Sequence, residues 1–177
     1  MLEKRIYIHI SLIIRIMKIE VMKKMIEYFQ NDVKRINHAL KVFDFAQIIS
    51  HEESIDKKTK EIINYSAILH DIGIKEAEKK YDSSMGKYQE IEGPSIAREM
   101  LSDLKISDEI INRVCFIIGN HHSYAKIDGI DFQIIVEADF LVNIFEENMR
   151  KEAIENINNR IFKTESGKKL MRTMYLK

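Results

Sequence analysis

An all-α, single-domain helical bundle is the fold this sequence predicts, and three observations predict it. The chain has 177 residues, enough for one domain with a sizeable core and short for two. It holds only six glycines and one proline, too few turn formers for a strand-and-turn sandwich. Its apolar residues recur at three- and four-residue steps through most of its length. The 32 isoleucines do not count toward strands. Beside many Lys and Asn they read as compositional bias, so spacing decides.

Taken in order, residues 1–16 (MLEKRIYIHISLIIRI) form an N-terminal segment of uncertain status. Lys4 and Arg5 supply the positive start of a signal peptide, but no small-residue cleavage site follows. The apolar run is also too short to span a bilayer. Its apolar residues could pair subunits in a homo-oligomer. An ordinary amphipathic helix is expected to begin near Met17, which makes Met17 a candidate true start and gives a domain over 17–177. Val33, Ile36, Ala39, Leu40, Phe43, Ala46 and Ile49 continue the helical period. A second helix is expected from Lys57 to His70, ended by Gly73 as a residue tolerant of left-handed backbone. Residues 75–92 read as a long polar loop or short helical turns, a candidate lid. Pro94 is expected in the first turn of the next helix. Ser107 caps another, with Asp108 and Glu109 favourable against its dipole and Gly119-Asn120 at its end. A helix over 131–148 follows, then one or two more in the tail.

Composition excludes several classes. With 45% apolar and 32% charged residues the chain is globular in type. Its 28 basic and 28 acidic residues cancel, so no general attraction for nucleic acid or an anionic membrane is expected. The lone Cys115 can form neither an internal disulfide nor a thiolate zinc cage, and reads as a small core residue. That fits a reducing compartment, and a cytoplasmic protein is expected.

Chemistry is carried by histidine and aspartate. Of six histidines, His38 lies inside an apolar helix, His70 closes the next and is followed by Asp71, and His121-His122 follow another helix end. Asp139 interrupts the apolar run from Ile134 to Phe145. A carboxylate on a core-facing helix costs several kcal/mol unless a cation or donors meet it, at about that magnitude for any buried ion. Imidazoles and carboxylates from separate helices can converge inside a bundle on a divalent ion, and this set suits Fe, Mn, Zn, Ni, Co or Mg. Each residue alone has a plainer reading. His38 can be a half-buried structural histidine, Asp139 can pair with a lysine or arginine, and an adjacent His-Asp or His-His pair arises readily by chance.

Their order and context carry more. The sequence resembles the HD superfamily of metal-dependent phosphohydrolases through RINHALKV with His38, ILHDIG with His70 and Asp71, IIGNHH with His121 and His122, and EADFLVN with Asp139. EGPSIAREML between them looks like the small-residue helix start of many members. The matching pieces cover about residues 34–146. The resemblance implies that His38, His70, Asp71 and Asp139 are metal ligands. It places His121 and His122 where some members hold a second metal and others face the substrate phosphate. Many two-metal members have another histidine four residues before the helix-start glycine. Here Gln89 stands four before Gly93, with Glu92 as the substitute ligand, so one metal is expected and a second is open. A Gly-Tyr-Pro signature for cyclic dinucleotides is not found after His122, where SYAKIDGIDF follows.

The expected function is hydrolysis of a phosphate ester or anhydride of a small phosphorylated substrate, with nucleotides leading. A metal lowers the pKa of bound water and polarises a phosphoryl oxygen. Asp71 would orient the water, and His121 and His122 would contact the phosphate or give a proton to the leaving oxygen. Lys75 and Lys87 are candidate phosphate contacts, though each also reads as an ordinary surface lysine. The alternative is a non-catalytic metal- or nucleotide-binding regulatory module on the same fold. A plain all-α interaction protein with incidental histidines comes behind both.

Overall fold

Nine α-helices and one short 3₁₀ turn, with no strand among the described residues, build the protein. The structure, a computed structural model, describes residues 2–177, with side chains from Ile16 onward. In chain order the helices are α1 (Leu2–Phe29), α2 (Val33–Glu52), α3 (Lys57–Leu69), α4 (Ile74–Tyr81), α5 (Gly86–Asp103), α6 (Asp108–Ile118), α7 (Ile130–Glu146), α8 (Lys151–Arg160) and α9 (Glu165–Tyr175), with the 3₁₀ turn at Tyr124–Lys126. The all-α fold is as the sequence predicts. None of the helices is long and apolar enough to cross a membrane, among the described residues.

Helix α3 is the axis. Eight successive residues, Ile62 to Leu69, are buried, so it is enclosed on all sides rather than amphipathic. Around it pack α1, α2, α6 and α7. Helix α2 lies along α7, α5 lies between α4 and α6, and α9 covers the far side of α7 and part of α2. Asp32 starts α2 by accepting a hydrogen bond from the Arg35 N–H at 3.2 Å. Asp56 starts α3 by accepting from the Lys58 and Thr59 N–H groups. At α6, Ser107 occupies the N-cap position but its side chain makes no cap bond, unlike the expectation.

Three other expectations are corrected. No helix begins near Met17, because α1 runs unbroken from Leu2 and buries Val21, Met25 and Phe29 against the core. The expected packing or pairing of side chains in residues 1–15, and the status of that segment, lie outside the described side chains. The loop expected over 75–92 shrinks to residues 82–85, since α4 and α5 occupy the rest. Pro94 lies inside α5 rather than at its start. An interior proline forfeits a helical hydrogen bond, and α5 accepts that where it is packed between two neighbours.

Gly119 ends α6 as expected, but no glycine supplies left-handed backbone. None has a positive φ; the left-handed positions are Gln30, Ser54, Asp82, Lys105 and Asn148, at the ends of α1, α2, α4, α5 and α7. Gly73 has φ −73°, so it is there for space. A Cβ at Gly73 would press on the Gln89 carbonyl oxygen and lie 2.6 Å from the Gly93 nitrogen. The turn after His70-Asp71 thus rests directly on the backbone of α5. Because backbone cannot swing away as a side chain can, Gly73→Ala is expected to cost about 2–3 kcal/mol, read as a lower midpoint in chemical denaturation.

Candidate metal centre

Three helices deliver four donor groups to one point. His38 comes from the second turn of α2, His70 is the C-cap of α3 with Asp71 next, and Asp139 lies midway along α7. His38 Nε2 lies 3.2 Å from His70 Nε2 and 3.1 Å from Asp139 Oδ1. His70 Nε2 is 3.6 Å from Asp139 Oδ1 and 3.6 Å from Asp71 Oδ2, and His38 Nε2 is 3.7 Å from Asp71 Oδ2. His38, His70 and Asp139 are buried, with Asp71 partly so.

The hydrogen-bond partners decide what these atoms present. His70 Nδ1–H donates to the Ala67 carbonyl at 2.9 Å, and His38 Nδ1–H donates to Glu146 Oε2 at 3.0 Å. Each neutral imidazole therefore turns an Nε2 lone pair inward. Two lone pairs and two carboxylates then face one another. Nitrogen and oxygen ligands about 2.1 Å from one cation lie about 3.0–3.4 Å apart in octahedral or tetrahedral arrangement, close to the distances above. The four residues fit a divalent ion.

In the metal-free chain, protons relieve the crowding. Burial pulls the His38 imidazole down, but the Asp139, Asp71 and Glu146 carboxylates outweigh it and raise its pKa to about 9. His70 is likewise pulled down by burial and raised on balance by Asp71 and Asp139. Burial acts to raise both aspartates, yet the imidazoles hold them well below the usual carboxylate range. The sign for stability follows. A raised histidine pKa favours folding fully below about pH 6.5, and that contribution is lost as pH rises through about 9. With chelator present, thermal melting is expected to show a lower midpoint at pH 9.5 than at pH 6.5. Saturation with Mn²⁺ is expected to flatten that slope.

A second group adjoins the first. Asp71 Oδ1 lies 3.3 Å from His121 Nε2, and Asp71, His121 and His122 could also hold an ion. His121 Nδ1–H donates to the Ile118 carbonyl at 2.8 Å, so this Nε2 also points inward as a lone pair. The His122 N–H donates to Glu90 Oε1 at 3.0 Å, which ties the turn to α5. Gly86 lies against the His122 ring, where a Cβ would overlap the imidazole. Burial and then the His121 charge hold His122 down to about 4.

A cavity of about 480 Å³ opens onto both groups. Of the remaining candidates, Gln89 lines it, is buried and has an unpartnered Oε1, while its amide donates to the Ser84 carbonyl at 2.7 Å. The other three are placed elsewhere. Glu92 is held by Lys80 Nζ at 2.5 Å and Tyr81 OH at 2.9 Å and does not line the cavity, which corrects its candidacy as a ligand. Lys75 donates to the Tyr28 carbonyl at 2.8 Å, and Lys87 sits over the Tyr88 ring. Neither of these lysines reaches the cavity. From the expected lid, Glu78 and Ser84 line the wall beside Gln89. The side chains missed are Lys34 and Arg35, on α2 before His38, and Asn143 and Glu146, four and seven residues after Asp139. Those spacings put them on the same helix faces as the ligands, a signal present in the sequence. Asn143 donates to Asp139 Oδ1 at 2.9 Å.

Residues 35–163 match the family model of the HD domain. The protein belongs to the HD-domain family. The match runs from the start of α2 into the link before α9, so it takes in all six His and Asp residues of the two groups. Among solved structures, this HD domain is similar to a crystal structure described as a predicted HD superfamily hydrolase from an uncultured Thermotogales bacterium. The TM-score is 0.64 at 22% identity, over 89% of this chain and 84% of the other. That likeness is one of fold. No curated protein matches the chain.

Proposed function

We propose that this HD domain is a metal-dependent phosphohydrolase that cleaves an ester or anhydride of a small phosphorylated substrate, nucleotides being the leading class. One observation carries the reading: two imidazole nitrogens and two carboxylates, from His38, His70, Asp71 and Asp139, converge at the base of an open cavity. When bound there, a divalent ion lowers the pKa of water and polarises a phosphoryl oxygen. Phosphoryl transfer to water otherwise needs alignment and charge stabilisation more than covalent help.

The chain's own residues divide the remaining work. His38, His70 and Asp139 hold the ion with Asp71, whose Oδ1 faces the second group and orients the attacking water. His122, held near 4, is neutral at pH 7 and serves as a hydrogen-bonding partner rather than a proton donor. His121 contacts the phosphate or, with Asp71 and His122, a second ion. Arg35 is spent on Asp32 at 2.6 Å and Glu78 at 2.5 Å. Lys34 lines the cavity with no ion-pair partner among the described residues, and so is the cation offered to the substrate. Lys34→Ala is expected to raise KM about tenfold with kcat little changed, by the size of one charge-assisted contact.

The test is a screen of phosphate release from nucleotides and general phosphoesters. It uses protein reconstituted in turn with Mn²⁺, Fe²⁺, Co²⁺, Ni²⁺, Zn²⁺ and Mg²⁺. Metal-dependent release from at least one substrate supports the reading. A bound ion with no turnover on any substrate favours the second reading, a metal- or nucleotide-binding module without catalysis. The turning away of Glu92, which leaves neutral Gln89 beside the second group, keeps that reading in play.

A further inference from the structure

Among the three imidazoles whose Nε2 atoms point inward, two are oriented by backbone: His70 by the Ala67 carbonyl and His121 by the Ile118 carbonyl. His38 differs. Its Nδ1–H donates to the Glu146 carboxylate at 3.0 Å, from the last turn of α7. The other oxygen of Glu146 accepts from Lys41 Nζ at 2.8 Å, three residues beyond His38 on α2. Glu146 is largely covered, with a side chain 14% exposed, and lines the same cavity.

The geometry points to Glu146 as a positioning residue that sets the strength of His38 as a metal ligand. A carboxylate accepting from the far ring nitrogen fixes the tautomer with Nε2 bare, locks the ring plane and makes Nε2 more basic. A carbonyl acceptor does the first two and much less of the third. His38 is thus the ligand whose donor strength depends on a charged side chain, while Lys41 bonds only the oxygen of that carboxylate turned away from the ring. This inference rests on the metal reading of the four-residue group.

A structural role is the competing account, because the same bonds fasten the end of α7 to α2. Metal-free protein titrated with Mn²⁺ alone, with free Mn²⁺ counted by electron paramagnetic resonance, separates the two. Glu146→Ala is expected to weaken Mn²⁺ binding by about 10–100-fold. Glu146→Gln, which can still accept from Nδ1–H without the charge, is expected to recover part of that loss. Lys41→Met removes the cation of the fastening but leaves the Glu146–His38 bond, and is expected to keep affinity within about threefold of wild type. The inference is overturned if Glu146→Ala binds Mn²⁺ within about twofold of wild type, or if Lys41→Met weakens binding as much as Glu146→Ala. If the wild-type chain takes up no Mn²⁺ or Zn²⁺, the metal reading itself fails and this inference with it.

Discussion

Asp71→Ala is expected to leave the chain without bound metal and to cut turnover by about a thousandfold or more on any substrate the screen identifies. The Asp71 carboxylate faces both groups. Its Oδ2 faces His38 and His70 and its Oδ1 faces His121, so its loss removes a ligand and the link between two groups. His70→Ala is expected to match it in metal content, because His70 Nε2 lies 3.2 Å from the partner imidazole and cannot be replaced by solvent of equal basicity. Asp71→Asn separates charge from shape: it keeps an oxygen in place and is expected to retain weak metal binding with little turnover. Elemental analysis and phosphate release on the same preparations check all three. Asp71→Ala with full metal content and full rate would sink the assignment.

The second large effect concerns stability. Glu137 on α7 is fully buried on the side away from the cavity. It accepts from Gln133 Nε2 at 2.7 Å, from the Lys163 and Thr164 N–H groups at 2.6 and 3.0 Å, and from the Thr164 hydroxyl. Burial pushes its carboxyl up, with those donors opposing. Thr164 is in turn the N-cap of α9. Glu137→Ala strands several buried donors at about 1–3 kcal/mol each, so a net loss of about 4 kcal/mol is expected. That corresponds to a melting midpoint lower by about 10 °C for a chain of this size. Glu137→Gln keeps an acceptor and is expected to lose less than half as much. Metal uptake should persist in Glu137→Gln, because no ligand touches this cluster.

Much of the molecule was legible beforehand for local reasons. Helices α2, α3, α6 and α7 announce themselves through apolar spacing, which depends on neighbours in sequence. The meeting of His38, His70, Asp71 and Asp139 was expected from resemblance and from the cost of a carboxylate on a buried helix. What escaped depends on contacts between helices. Glu146 and Lys34 look like ordinary surface charges until α2 and α7 are side by side. Glu92 looked available because Lys80 and Tyr81 belong to a helix read as loop. Gly73 reads locally as a helix stop, whereas its reason is the backbone of α5 lying against it. Local preference puts Pro94 in a first turn, and packing overrides it.

The two oxygens of Asp71 look in opposite directions, one toward His38 and His70 and the other toward His121. One small anion is therefore common property of two neighbourhoods, and electron density drawn to one flank is withdrawn from the other. Filling or protonating either flank retunes its counterpart without any movement of the backbone. The centre responds as a single electrical unit.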